Sequence, residues 1–262
     1  MQQKRSGSLV YYQFDSLSGF AELAHGVFTR LGGHSRAPWR GLNTGHTVGD
    51  DPEAVDANHR LICLALGFST DDLVSPHQVH GAAVAAVGAQ DRGRVVQDTD
   101  ALVTDEPGVL LMLRFADCTP IWLYDPVRRA IGLAHAGWRG TVAGTARATV
   151  DKMRSAFGSR PADLVAGIGP SIGPCCYEVG EDVALSVQDT FSGVSPQLLA
   201  PRTNGKWHLD LWAANRHHLV RAGVEQVEVA GICTACHTEE WFSHRAERGT
   251  TGRIGALIGL RK

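Results

Sequence analysis

Apolar residues recur along the chain in two rhythms. Runs over Gly26 to Arg30, Ala83 to Val87, Val109 to Phe115, Ala130 to His135, Leu164 to Ile168, Val224 to Ile232 and Arg253 to Leu260 have the length of strands. Several are apolar almost throughout, the pattern of strands covered on both faces. The second rhythm is helical. Asp51-Pro52-Glu53 reads as an N-cap, a proline at the first helical position and an acid in the first turn, and Ala54, Ala57, Leu61, Leu64 and Ala65 follow at helical spacing until Gly67. Asp210 opens a second helix with Leu211, Trp212, Leu219 and Ala222 on one side, closed by Gly223. A third is predicted from Thr141 to Phe157, closed by Gly158. No repeat, low-complexity run or Pro/Ser-rich linker interrupts the alternation, so residues 1–262 are read as one layered α/β or α+β domain.

Composition narrows the function. With 44% hydrophobic and 20% charged residues the chain can build a large core and is not a disordered segment. Lys and Arg number 25 against 27 Asp and Glu, a net charge of −2, and no basic stripe is present. A general nucleic-acid or membrane-surface binder would carry a basic excess. The apolar stretch Leu9 to Tyr12 is broken by Gln13 and Asp15, too early for an export signal. The six cysteines are too sparse for a disulfide scaffold and read as reduced thiols, which points to the cytoplasm. Twelve histidines against four tyrosines, with those six cysteines, direct attention to metals.

Four polar segments punctuate the apolar runs: Ser75 to Gly81, Ala116 to Pro120, Ala134 to Gly140 and Gly169 to Glu178. Loops at strand ends usually hold functional groups. Cys118 and His135 each sit at a strand end, so neighbouring strands could bring them together, with His80 supplied from a third loop. A His, Cys, His set leaves one position of a tetrahedral zinc open, the mark of a catalytic rather than a structural site. Zinc in such a site brings the pKa of bound water to about 7. The same residues allow a metal-free reading, in which Cys118 is a thiolate nucleophile and His135 its base. Each residue taken singly is equally well a packed thiol or a hydrogen-bonded core histidine.

Other signals lead less far. Cys233-Thr234-Ala235-Cys236-His237 has the form of a covalent haem attachment, but that modification belongs to exported proteins, so the segment is read as a packed thiol pair. Gly167 to Gly173 superficially resembles a phosphate loop, but Pro170 and the lack of a following Gly-Lys-Ser/Thr spoil the motif, leaving a rigid turn that shapes a pocket. Arg30, Arg60, Arg139 and Arg245 are candidate anion ligands.

Taken in order, these segments resemble the YfiH/YlmD-like family of laccase-like multicopper polyphenol oxidases, also described as purine nucleoside phosphorylases. The resemblance runs from Phe28-Thr29-Arg30-Leu31-Gly32-Gly33 through Gly41-Leu42-Asn43-Thr44-Gly45, Gln78-Val79-His80-Gly81, Ala116-Asp117-Cys118 and His135-Ala136-Gly137-Trp138-Arg139-Gly140 to Thr251-Gly252-Arg253. It implies a zinc site made of His80, Cys118 and His135. It also implies an α+β fold, a layered α/β/β/α single domain with mixed sheets, grouped with a toxin deamidase fold. The implied activities are phosphorolysis of adenosine, inosine, guanosine and methylthioadenosine and hydrolytic deamination of adenosine, with some members described as peptidoglycan editing factors. Three departures stand out. His77 replaces a usual glutamate and could reorient His80 or add a ligand. No role is carried over to His46 or Thr47, because the usual histidine is displaced by one position. His244 and Ala246 replace a usual aromatic and arginine, which weakens any anion site there.

The expected function is therefore a zinc-dependent purine nucleoside enzyme whose partners are a purine nucleoside and phosphate, with neither nucleic acid nor membrane. Phosphate requires an arginine or amide cradle, for which Arg139 and Arg60 are candidates, with Asn43 as a ribose or base contact. Deamination requires a carboxylate to move a proton, and Asp117 is the nearest in sequence, although an aspartate beside a ligand more often braces the loop. Copper is the less favoured metal: the chain has no His-x-His motif for a trinuclear cluster, and only a single His₂Cys copper site with Met112 as axial ligand could be built. The alternatives are a metal-free Cys118–His135 amidase acting on peptidoglycan precursors, a copper-dependent polyphenol oxidase, and a non-enzymatic nucleoside-binding protein.

Overall fold

The computed structural model describes all residues from Met1 to Lys262. Its strands, numbered in chain order, are β1 Gln2–Ser6, β2 Leu9–Gln13, β3 Leu23–Phe28, β4 Leu73–Pro76, β5 Val84–Ala86, β6 Val95–Val96, β7 Ala101–Thr104 and β8 Leu110–Phe115. They continue as β9 Thr119–Asp125, β10 Ala130–Ala136, β11 Val165–Ile168, β12 Glu178–Val179, β13 Leu199–Pro201, β14 Trp207–Leu209, β15 Gln226–Val229 and β16 Ile254–Leu260. One mixed sheet runs β1-β2-β3-β16-β8-β4-β6, a second runs β15-β11-β9-β10-β7-β5, and a small third runs β12-β14-β13.

Side-chain parity explains why the two large sheets stack. In β8, Leu111, Leu113 and Phe115 enter the core between the sheets, while Leu110 and Met112 face the opposite way. In the second sheet Trp122 and Tyr124 of β9 and Ile131 and Leu133 of β10 meet them, whereas Ile121, Leu123, Ala130 and Ala134 face outward. A strand apolar at every position must be covered on both sides, and helices do this. The helix Pro52–Leu66 covers the outer face of the first sheet through Ile62, Cys63 and Leu66. The helices Thr145–Phe157 and Leu211–Arg221 cover the second through Ala146, Val150, Met153 and Leu219. The result is the α/β/β/α layering.

The predicted helix boundaries follow their caps. Asp51 accepts a hydrogen bond from the Glu53 amide, and Gly67 closes the helix at φ 82° with its N–H on the carbonyls of Cys63 and Leu64. Asp210 caps the helix Leu211–Arg221, accepting a hydrogen bond from the Ala213 amide. The helix expected over Thr141 to Phe157 is in fact two, Trp138–Ala143 and Thr145–Phe157, divided at Gly144, whose φ of 80° only glycine adopts readily. The run Val224 to Ile232 yields only the short strand β15, because its remainder leaves the sheet toward Cys233. Gly167 and Gly169 serve packing: a methyl group there would lie 2.6 Å from the rings of Phe14 and Trp122, respectively. No helix is long and apolar enough to cross a membrane.

Candidate functional site

Three loops meet at the end of the layer between the two large sheets. His135 has the parity of Ile131 and Leu133 in β10, so its side chain points into that layer, with its ring 5.3 Å from that of Phe115. Cys118 precedes β9, whose antiparallel register pairs Pro120 with His135 and Thr119 with Ala136. The hairpin therefore delivers both side chains to one place. His80 arrives on the loop after β4, held at a φ of 61°, a left-handed conformation uncommon outside glycine and found where surroundings impose it. The ligand atoms of His80, Cys118 and His135 all lie within 4.8 Å of one another, and the two imidazole rings stand edge to face at 4.9 Å.

Asp100, which sequence reasoning missed, organises this trio. Its fully buried carboxylate accepts hydrogen bonds from His135 Nδ1 at 2.8 Å and from the amides of Val79 at 3.2 Å, His80 at 3.0 Å and Gly81 at 2.6 Å. The first bond fixes the His135 tautomer and leaves Nε2 free as a donor atom. The amide bonds hold the strained His80 turn. Thr145 adds a bond from Oγ1 to the Gly81 carbonyl at 2.8 Å. Only tertiary structure reveals Asp100, which precedes β7 and lies beside the trio because β7 pairs with β10.

Glycine provides the space. A methyl group on Gly137 would sit 3.0 Å from Cys118 Sγ and 3.3 Å from His80 Cδ2. The electrostatics favour a thiolate. Burial alone would push the Cys118 thiol up, but the His135 and His80 imidazoles bring it down to about 6. Burial works against charge on His135 too, yet the Cys118 thiolate and the Asp100 carboxylate raise it to about 9. Burial likewise opposes ionisation of Asp100, and the bonds from His135 and the Gly81 amide hold its carboxyl below the ordinary range. Two imidazoles and a thiolate, one imidazole braced by a carboxylate, form a donor set that suits zinc and leaves one side open to the cavity.

The trio opens onto a cavity of about 800 Å³. Arg114, Arg245 and Arg253 line it. Their guanidinium groups meet oxygens of uncharged groups: Arg114 donates to the Thr44 carbonyl and the Ser75 hydroxyl, Arg245 to the Glu178 carbonyl, and Arg253 to the carbonyls of Thr251 and Gly252. Tyr177, over whose ring Arg245 lies at 5.2 Å, forms another part of the wall.

The remaining predicted residues are placed differently. Asn43 is wholly buried and lies outside the cavity lining, bonded to Asp50, to Gly45 and through Oδ1 to the Arg253 amide, so it positions Arg253. Arg60 lines a neighbouring cleft of about 380 Å³ that shares Arg114 and His46 with the main cavity. Arg139 lies outside the lining, with its guanidinium 4.4 Å above the Trp138 ring. Asp117 reaches the cavity, but its carboxylate is occupied by Thr234 Oγ1 at 2.7 Å and the Arg245 amide at 2.6 Å, a bracing arrangement. Met112 faces away under the helix Pro52–Leu66, so it is no axial ligand. His77 stands on the cavity wall facing Asp98 at 3.3 Å and is not among the clustered donors. The segment with His244 and Ala246 does contribute cations near the trio, through Arg245 and the following Arg253.

Residues 24–261 match the family model described as multi-copper polyphenol oxidoreductase laccase. The chain belongs to this YfiH family. The YfiH-family chain is 43% identical to the purine nucleoside phosphorylase YlmD of Geobacillus stearothermophilus over 93% of its own length and 92% of the relative's. It is 44% identical to a purine nucleoside phosphorylase of Deinococcus radiodurans over 90% and 88%. Among solved structures, YlmD of Geobacillus stearothermophilus superposes with a TM-score of 0.94 at 40% identity, covering 99% of this chain and 98% of that one. YfiH of Bacillus licheniformis gives 0.92 at 37% identity, with coverages of 98% and 97%. These likenesses establish the α+β fold with mixed sheets and support an enzyme of the purine nucleoside phosphorylase kind.

Proposed function

We propose that this chain is a zinc-dependent purine nucleoside phosphorylase, with His80, Cys118 and His135 as ligands and adenosine, inosine, guanosine and methylthioadenosine as its substrate class. The observation that carries the reading is the convergence of the trio with three arginines that lack carboxylate partners in one cavity. Arginines held by carbonyls rather than by carboxylates retain their charge for an incoming anion, and a dianionic phosphate is such an anion. The volume accommodates a nucleoside beside it, within the range of small-molecule sites. When bound, zinc supplies Lewis acidity and a lowered pKa for coordinated water.

The chain's own groups do the rest. Arg114, Arg245 and Arg253 hold phosphate and keep it anionic as one of its oxygens bonds to C1′ and the bond from C1′ to the purine N9 breaks. The electron pair of that bond leaves with the purine, which takes up the proton that the hydrogen phosphate gives up as its oxygen becomes the ester oxygen at C1′. The Tyr177 ring offers an apolar face to the base, while Asp100 keeps both histidines oriented. Deamination of adenosine is the lesser activity, because Asp117 is the sole carboxylate lining the cavity and its oxygens are engaged by Thr234 and Arg245. Zinc is preferred to copper, given the absence of His-x-His and the position of Met112.

The test is product analysis. Zinc-loaded protein converts adenosine to adenine only when phosphate is present, and a chelator abolishes the conversion. A metal-free Cys118–His135 amidase would survive chelation. Saturable nucleoside binding without turnover under any metal load would instead mark a binding protein.

A further inference from the structure

A second group of metal-capable side chains lies apart from the trio. The expected thiol pair Cys233 and Cys236 faces another pair, Cys175 and Cys176, and the four sulfurs all lie within 4.8 Å of one another. The topology brings them together. Strands β11 and β15 are parallel neighbours, with Val165 opposite Gln226 and Ile168 opposite Val229, so the loops leaving their C-terminal ends emerge side by side. The loops are then laced together. Ser171 bridges to Cys233, its amide meets the Ile232 carbonyl at 3.2 Å, and the Thr234 amide meets the Ser171 carbonyl at 3.1 Å.

We infer that Cys175, Cys176, Cys233 and Cys236 form a structural tetrathiolate site for a divalent zinc ion, separate from the His80–Cys118–His135 site. Cys236 Sγ lies 3.5 Å from Cys175 Sγ and 3.3 Å from Cys176 Sγ. Zinc–sulfur bonds of about 2.3 Å in a regular tetrahedron set the sulfurs about 3.8 Å apart, so the thiols stand close to ligand spacing before any ion is added. All four thiols are free, with no disulfide among them. The Gly173 amide donates to Cys233 Sγ at 3.2 Å, the kind of N–H to sulfur bond that stabilises a ligating thiolate. Cys233 is buried, whereas Cys175 and Cys236 are exposed, so the ion has a path from solvent. Four thiolates select a soft or borderline metal, and a closed set of four ligands leaves no position for substrate.

The site staples one wall of the main cavity. Tyr177 follows Cys176 directly and lines that cavity. Thr234, between the two cysteines of the other pair, holds the Asp117 carboxylate beside Cys118. Arg245 bonds to the carbonyl of Glu178 on the same loop. An ion joining the two loops would therefore fix Tyr177, Asp117 and Arg245 without touching substrate.

The test separates the two sites by metal content and sulfur coordination. The variant His80→Ala/Cys118→Ala/His135→Ala, purified under reducing conditions and loaded with zinc, should keep one zinc per chain. X-ray absorption should then show four sulfurs at about 2.3 Å and no nitrogen. Cys176→Ser/Cys236→Ser in the otherwise native chain should lose that ion and melt at lower temperature. Should this variant fail to fold, the zinc-loaded trio variant still decides: a thiol reagent should release its one zinc equivalent in step with modification of four cysteines. A zinc-free trio variant whose four thiols react freely in the folded state would overturn the inference, as would a disulfide among them in protein alkylated at lysis.

Discussion

Replacing Asp100 by Asn changes one buried group at the centre of the site while keeping its shape. The native carboxylate accepts four hydrogen bonds, two at each oxygen: His135 Nδ1 and the His80 amide at Oδ1, and the Val79 and Gly81 amides at Oδ2. Asparagine has one acceptor oxygen, so its amino group must face one of these donor pairs. If it faces Oδ2's partners, two buried amides lose their acceptor. If it faces Oδ1's, the His80 amide is orphaned and His135 must move its proton to Nε2, which removes a ligand atom. Either outcome loses two bonds to a charged acceptor, and at about 1.5 kcal/mol each the cost is about 3 kcal/mol of stability. Disturbing the partner of a ligating histidine also weakens metal affinity about 10–100-fold. The assay is zinc affinity by chelator competition at pH 7.5, paired with urea unfolding of the metal-free protein. Zinc affinity within twofold of the native value, with an unchanged unfolding midpoint, would refute the role given to Asp100.

Further expectations follow from the same structure. Arg245→Met keeps the backbone amide that holds Asp117, so it should raise the KM for phosphate about tenfold with a smaller change in the KM for nucleoside; equal increases in both would point to general damage to the cavity. Gly137→Ala should place a methyl against Cys118 and His80, and a core insertion of this kind costs about 1–3 kcal/mol; zinc binding and turnover should fall while circular dichroism stays native. Acid should destabilise the protein well before its carboxylates protonate. Burial holds His25 and His59 neutral, with pKa values lowered from 6.5 to about 4, so the unfolded chain binds more protons and their stabilisation, present above pH 6.5, is lost as pH falls toward 4. Each should cost about 2 kcal/mol between pH 7 and pH 5. A urea midpoint that does not move over that interval would contradict this.

The layers were legible because continuous apolar runs and strong caps each have one physical reading. Short strands such as β6 and β12 to β14 carry too little pattern to be seen, and β9 was obscured by Pro120 near its start. Strand-end position allows Cys118 and His135 to meet, with His80 from a third loop, and the family resemblance implies all three as one set. Asp100 was not legible, since an aspartate before a strand has no signature until β7 is known to pair with β10. The four-thiol cluster was half visible: Cys233 and Cys236 form a local motif, but their partners lie about sixty residues away in sequence and meet them only because β11 and β15 are parallel neighbours. Asn43 and Arg139 lie in segments that carry the family resemblance, whereas Arg60 is a candidate by chemical type alone. Neither signal can tell an arginine aimed at a cavity from one resting on a tryptophan ring.

Phosphorus NMR of the zinc-loaded protein with adenosine and inorganic phosphate tests the central claim most directly. The free phosphate signal should be replaced by that of a sugar phosphate in step with adenine release, and Cys118→Ala should prevent both. Persistence of the phosphate signal while adenosine stays unchanged, or turns only into inosine, would contradict the account.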